Sequence, residues 1–259
     1  MCLLVLAWQV HPRFPLIVAA NRDERHTRPT RELSRWREPA GLLAGRDLLA
    51  GGTWLAACPG SPPDSPFSGA SFGAITNFRE PAAPADGAPS RGALIPRFIG
   101  SHDSPGDFLR TIEPEAQRFA GFSLLLSRGN ELWYASNRSS PFARSLAPGI
   151  YGLSNHALDT PWPRLERVRA AFAGYLQADS ALPRPDDLLD LLGQREPLPA
   201  DASFEDVLAA PFVVHPVFGT RSSTVVLLDP AGAIALTERR FDPEGRPIGQ
   251  TTLATDAGS

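Results

Sequence analysis

Cys2-Leu3-Leu4-Val5-Leu6-Ala7-Trp8 and Leu16-Ile17-Val18-Ala19-Ala20-Asn21-Arg22-Asp23-Glu24 are the stretches around which this chain is organised. Both begin as apolar runs of strand length, and a segment containing Pro12 and Pro15 separates them, which is the pattern of a β-hairpin. A hairpin returns the chain to the neighbourhood of its start. Cys2 and the polar cluster Asn21-Arg22-Asp23 are therefore expected to meet at one rim of a sheet. Chain ends usually fray; here the end is anchored, and a cysteine sits on the anchor.

The initiator methionine is normally trimmed when a small residue follows it. Trimming would give Cys2 a free α-amine, which titrates near pKa ~7.7–8.0 in an unperturbed chain. One residue would then carry both a nucleophile and its own base. Arg22, if close, would favour the thiolate, and Asp23 could orient the amine. Read without chemistry, Cys2 is a small hydrophobe at the start of a strand.

The composition narrows the classes. The chain has 259 residues, 42% of them apolar, which is enough for a substantial core, and its net charge is −3. That balance suggests neither a nucleic acid nor an anionic membrane surface as partner. All 25 Lys-plus-Arg residues are Arg, so every side-chain cation is a guanidinium able to grip a carboxylate bidentately. Two cysteines, Cys2 and Cys58, do not make a secreted disulfide framework. No stretch reaches the ~18 apolar residues of a membrane span, and the N-terminus lacks the basic region and cleavage site of a leader. The expectation is a cytoplasmic chain.

Outward from the hairpin, residues 25–39 read as an irregular surface connection. Short strands are expected near 53–57, at Ser71–Asn77 and across the hairpin 122–126/132–135. Further strands are expected at Gly149–Asn155, Thr224–Leu228 and Ala233–Glu238. Residues 59–70 and 80–90 read as loops by composition. Helices are expected from Ala93, behind the N-cap Ser104, and from Asp159-Thr160-Pro161. In the last of these Trp162, Leu165, Val168, Phe172, Tyr175 and Leu176 recur at helical spacing. A short helix is expected over 183–192, and residues 250–259 read as a frayed end. Strands that open and close the chain around central helices imply an α+β layered fold, as a single domain over 1–259.

Cys2, Asn21 to Asp23, Asn77, Asn155 and Arg221 all stand at ends or starts of these strands. Singly, each Asn reads as a turn residue. Jointly they supply what acyl transfer from an amide needs: a nucleophile with a built-in base, two Asn amides to donate to an oxyanion, and two guanidinium groups. One oxyanion donor contributes on the order of 3 kcal/mol to the transition state.

Met-Cys-Leu-Leu, Ala-Ala-Asn-Arg-Asp-Glu, Gly-Gly-Thr-Trp-Leu, Ala-Ile-Thr-Asn-Phe-Arg, Ser-Arg-Gly, Tyr-Gly-Leu-Ser-Asn, Pro-Trp and Gly-Thr-Arg-Ser-Ser-Thr, in this order over residues 1 to about 238, resemble the NRDE family of transport and Golgi organisation protein 2-like chains. The pattern also resembles Ntn-hydrolases of the choloylglycine hydrolase and penicillin V acylase type. That resemblance implies a four-layer αββα sandwich of two mainly antiparallel sheets and a catalytic Cys2 exposed by removal of Met1. It also implies an oxyanion role for Asn155 and a catalytic role for Arg221. Asn21-Arg22-Asp23 matches the Arg-Asn-x-Asp element of those enzymes in part, with Ala20 where their Arg stands.

The resulting expectation is an amidohydrolase that cleaves a linear carbon–nitrogen amide bond through an acyl-enzyme. Cys2, Arg22, Asp23, Asn77, Asn155 and Arg221 would form its catalytic set, with Asn21 and His156 beside the substrate. Its partner would be a small-molecule amide or acyl substrate, with no metal and no cofactor. The alternative implied by the NRDE resemblance is a non-catalytic carrier of haem or an acyl lipid, with Cys2 or His156 ligating iron. No Cys-x-x-Cys-His attachment motif is present. The sequence assigns no oligomeric state.

Overall fold

The computed structural model describes residues 2–60, 69–80, 87–178, 182–195 and 203–255. The loop readings over 61–68 and 81–86 lie outside these residues.

The opening hairpin is β1 (Cys2–Trp8) and β2 (Leu16–Arg25). It forms the centre of a six-stranded antiparallel sheet. β10 (Gly149–Leu153) pairs with the outer side of β1, and β11 (Phe218–Leu228) with the outer side of β2. β12 (Ile234–Phe241) and β13 (Pro247–Thr255) complete it. The second sheet runs in chain order through β3 (Thr30–Arg35), β4 (Leu43–Asp47), β5 (Leu55–Cys58), β6 (Ser71–Asn77), β7 (Phe122–Arg128), β8 (Glu131–Ser136) and β9 (Ala143–Ser145). All of its pairings are antiparallel.

The continuous apolar character of β1 and β2 has a direct cause: both faces of this sheet are covered. Side chains alternate faces along a strand. Leu4, Leu6, Trp8, Leu16 and Val18 point into a core shared with Leu43, Leu55, Phe72 and Leu125 of the second sheet. Leu3, Val5, Ala7, Ile17 and Ala19 point the other way. They meet Leu165, Val168 and Phe172 of α3 (Pro163–Ala178) and Leu188, Leu189, Leu191 and Leu192 of α4 (Pro185–Leu192). A third core joins the second sheet to α1 (Leu94–Ser101) and α2 (Pro105–Ile112) through Ile95, Phe98, Phe108 and Leu109. Helices thus lie on the outer face of each sheet. A short helix, α5 (Phe204–Ala209), precedes β11.

Three expectations are corrected. Residues 30–35 form a strand, not an irregular connection. Its side chains are largely polar and only Leu33 is buried, so the pairing with β4 rests on backbone hydrogen bonds that apolar periodicity does not report. Residues 247–255 form β13, paired with β12 along its length, where fraying was expected. This is an edge strand with a Pro at its first position, a usual edge device, and its exposed residues mix Gln250 and Thr252 with Ile248 and Ala254. Gly219 to Ser223 belong to β11 and do not merely precede it, and a bulge falls at Arg221, between Thr220 and Ser222.

Candidate functional site

Register brings the polar positions together. In the β1–β2 ladder Cys2 stands opposite Arg22. In the β1–β10 ladder Leu4 stands opposite Leu153, so two residues further on Asn155 arrives beside Cys2. There the Cys2 backbone N donates to Asn155 Oδ1 at 2.9 Å. Asn155 Nδ2 donates to the Asn77 carbonyl at 3.0 Å, joining the end of β6 in one sheet to the start of β1 in the other. Asn155 adopts φ +46°, a left-handed conformation that Asn tolerates better than most residues.

Alternation then divides Asn21, Arg22 and Asp23. Arg22 points between the sheets with Cys2. Its guanidinium lies 4.2 Å over the Trp54 ring and donates to Thr30 Oγ1 at 3.0 Å. Asn21 and Asp23 point to the helix side. Asn21 is buried and bridges Ser223 Oγ, which donates to its Oδ1 at 2.6 Å, to the Leu192 and Pro211 carbonyls. It ties α4 to the sheet and does not line the cavity described below. The Asp23 carboxylate is fully buried. It accepts from Thr220 Oγ1 at 2.8 Å and faces Arg164 Nη1 at 3.4 Å.

Arg164 is the residue that motif reading passed over. It is 1% exposed, and it donates to Ser154 Oγ at 2.9 Å and to the Cys2 carbonyl at 3.0 Å. The signal was available, because 164 precedes 168 and 172 at intervals of four and so lies on the inward face of α3.

A cavity of about 330 Å³ opens beside Cys2. Its lining includes Cys2, Arg22, Asp23, Glu24, Arg28 and Asp47, together with Gly52, Trp54, Ile75, Asn77 and Arg91. Two of the sequence motifs meet here. A Cβ on Gly52 would fall 2.3 Å from the Gly92 carbonyl carbon, so position 52 is held to glycine by close backbone approach, and a Cβ on Gly92 would meet Thr53 O at a tight 3.0 Å. Thr53 N donates to Gly92 O at 3.0 Å and locks the two segments together. Gly45 plays a similar part under the Trp54 ring, where a Cβ would lie 2.4 Å from Cη2.

The charges are ordered. Asp47 Oδ2 accepts from Arg28 Nε at 2.7 Å and lies 4.0 Å from Arg22. Its Oδ1 accepts from the Leu49 and Ala50 amides. Burial pushes the Asp47 carboxyl up, but these donors outweigh it and hold the group below its ordinary value. Burial pushes the Cys2 thiol up, and the Asp23 carboxylate adds to this. The positive chain terminus, Arg22 and a hydrogen bond from the Asp23 amide pull it down without cancelling the rise. Cys2 is therefore a neutral thiol at neutral pH and needs a base to become a nucleophile.

A family model described as "Transport and Golgi organisation 2" matches residues 1–243. The mouse protein described as "Transport and Golgi organization 2 homolog" is 31% identical over 265 residues, covering 92% of each chain. The human and bovine homologues are 30% and 31% identical with the same coverage. The chain belongs to the Transport and Golgi organisation 2 family. In this family member five of the tracts quoted above converge: Cys2, the Arg22 strand end, Gly52-Thr53-Trp54, Asn77 and Arg91-Gly92 all border one cavity.

Four candidate residues lie outside that lining: Asn21 and Asn155, placed above, and Arg221 and His156. Arg221, at the β11 bulge, donates to the carbonyls of Arg25 and His26 at 3.0 Å each and braces the end of β2. It borders a separate groove with Arg22, Glu238 and Arg240. His156 packs 4.4 Å from Phe78 and 6.3 Å from Trp162, with Nδ1 3.0 Å from Thr160 Oγ1. Among the described residues no group of three or more His, Cys, Asp or Glu could hold a metal ion. No helix among them is long and apolar enough to cross a membrane.

Proposed function

We propose that the chain is an N-terminal-cysteine amidohydrolase, acting on a small linear amide as one domain of the four-layer Ntn type in the cytoplasm. The single observation that carries this reading is the convergence on Cys2, which lines the cavity. Asn155 holds its nitrogen at 2.9 Å, Arg164 its carbonyl at 3.0 Å, and Arg22 stands opposite on the cavity face. The stacking of helices, sheet, sheet and helices around three separate cores supports the layered arrangement.

Removal of Met1 turns the Cys2 nitrogen into an amine. One N–H keeps the bond to Asn155 Oδ1, and the lone pair of the neutral amine accepts the thiol proton. Sγ then attacks the amide carbon and the carbonyl oxygen takes the electron pair. The Asn77 side chain, at the exposed end of β6 on the cavity wall, is the group suited to donate to that oxyanion, and Asn155 acts as a positioning residue. Collapse breaks the C–N bond, and the leaving amine takes the proton from the Cys2 ammonium. Water then adds to the thioester, releasing the carboxylic acid and restoring the thiol.

The test is the N-terminal mass of the purified chain together with amide turnover by the trimmed chain and by a form that retains Met1. Trimming to Cys2, with turnover confined to the trimmed form, is the expected result. Equal turnover in both forms overturns the mechanism. Ligand binding without turnover in the trimmed form would return the chain to the carrier reading.

A further inference from the structure

Arg91 belongs to the Ser-Arg-Gly tract, to which the mechanism above gives no role. It lines the same cavity as Cys2. Its backbone is fixed there by the Gly52–Gly92 approach and the Thr53–Gly92 hydrogen bond. Its Nη1 donates to the Gly121 carbonyl at 2.8 Å, which orients the planar head.

The three guanidinium groups that line the cavity are not equivalent. Arg28 is paired with Asp47 at 2.7 Å and Glu24 at 3.8 Å. Arg22 lies 4.0 Å from Asp47, stacked on Trp54 and bonded to Thr30. Arg91 makes no ion pair among the described residues. Glu80 is the strongest opposing charge upon it, yet the Glu80 oxygens are engaged by Arg138 and by the Gly121 amide at 3.1 Å. Burial acts against the Arg91 charge, and a half-buried cation without a carboxylate partner is suited to an anionic ligand.

The local charge sets what kind of anion. Among the lining residues Arg22 and Arg28 are offset by Asp47 and Glu24, and Asp23 is offset by the Arg164 behind it, which leaves Arg91 as the lining cation with no carboxylate at ion-pair distance among the described residues. One such guanidinium is matched by a single carboxylate, which its planar fork can grip bidentately. The volume, about 330 Å³, lies at the lower end of the range for small-ligand pockets, roughly 300–1,000 Å³.

We infer that Arg91 is the anion-gripping residue of this cavity, and that its ligand is a small amide bearing a single carboxylate. The Arg91 fork holds that carboxylate while the amide carbonyl lies toward Cys2. The inference names the substrate class of the site proposed above and rests on that reading for its catalytic meaning. The binding claim stands without it.

The experiment separates the two. In the full chain with Cys2→Ala, calorimetric titration with N-acetylglycine should show saturable binding, and the neutral N-acetylglycinamide should bind at least tenfold more weakly. Arg91→Met should lower N-acetylglycine affinity at least tenfold and leave the amide analogue unchanged. Arg91→Lys, which keeps the charge and loses the fork, should lie between. Equal affinity for the two ligands overturns the proposal even if no Arg91 variant folds. Undiminished N-acetylglycine binding by a folded Arg91→Met also overturns it, and so does tighter binding of inorganic phosphate than of N-acetylglycine. Absence of turnover by the wild-type chain, with this binding pattern intact, would remove the hydrolase reading and leave the carboxylate site.

Discussion

Arg164 Nη2 donates to the carbonyl oxygen of Cys2 at 3.0 Å, while Nη1 of the same guanidinium faces Asp23 Oδ2 at 3.4 Å, all within the buried interior. One α3 side chain therefore fixes both the start of β1 and the polar end of β2. Truncating it leaves the Asp23 carboxylate without its arginine. Breaking a buried pair from one side typically costs about 3–5 kcal/mol. Arg164→Met should lower stability by an amount of that order in urea titration. Arg164→Met combined with Asp23→Asn should cost less than the sum of the two single changes, because the uncompensated charge is gone. Additive losses would mean that the two groups are not coupled.

Asn155 gives a second measurement. Its side chain accepts from Cys2 N and donates to Asn77 O, and its backbone is left-handed. Asn155→Ala loses two hydrogen bonds, each worth about 1 kcal/mol net, and adds about 1–2 kcal/mol of backbone strain. Asn155→Gly loses the same bonds without the strain. Ala should therefore be the less stable variant by about 1 kcal/mol, and both should fall below wild type in thermal unfolding. Equal stability of Ala and Gly would show that the conformation carries no cost here.

How far the sequence discloses these arrangements depends on what each one rests on. β6 falls at Ser71–Asn77 as its apolar run predicts, because burial on both faces leaves a compositional trace. β3 and β13 leave almost none, since edge strands depend on backbone pairing and neither carries a continuous apolar face. The meeting of Cys2 with Arg22 follows from the hairpin register alone. The separation of Asp23 from Arg22 follows from alternation, which the sequence also contains. The displacement of Arg221 from the cavity does not, because one bulge residue re-aims the strand and carries no sequence mark of its own. Likewise Ser-Arg-Gly is visible as a tract, but its docking against Gly52 joins residues forty apart in the chain.

Glu238 makes stability depend on pH. It is buried between the sheets, where its Oε1 accepts from Leu33 N at 2.8 Å. Burial raises its pKa, against the Leu33 and Ser222 hydrogen bonds and the Arg240 and Arg22 charges. The folded chain thus retains this proton after the unfolded chain has released it. The contribution is complete below the ordinary carboxyl value, ~4.3, and is lost as pH rises toward the raised folded value. Glu238→Gln keeps an acceptor for Leu33 and removes the titration. Its stability relative to wild type should increase between pH 4 and pH 7 in matched urea titrations. A relative decrease over that range would mean that the Arg240 and Arg22 charges outweigh burial.

The Cys2 thiol offers the most direct reading of the site's electrostatics. In a Cys58→Ala background Cys2 is the sole thiol, which removes the other raised group. Alkylation by iodoacetamide follows the thiolate, so its rate rises with pH until the thiol is titrated. Because burial and the Asp23 carboxylate raise the Cys2 value, labelling at pH 7.5 should be slower than that of free cysteine. It should continue to rise with pH after free cysteine has reached its plateau. The neighbours shift the profile in opposite directions. Arg22 lowers the value, so Arg22→Ala should move the profile further toward alkaline pH. Asp23 raises it through its charge, so Asp23→Asn, which leaves the backbone N–H to the sulfur in place, should move the profile toward neutral pH. Rates would be read from the mass of the labelled N-terminal peptide, with urea controls to equalise access in each variant. Shifts of the same sign for both variants would show that loosened packing, not charge, governs the thiol.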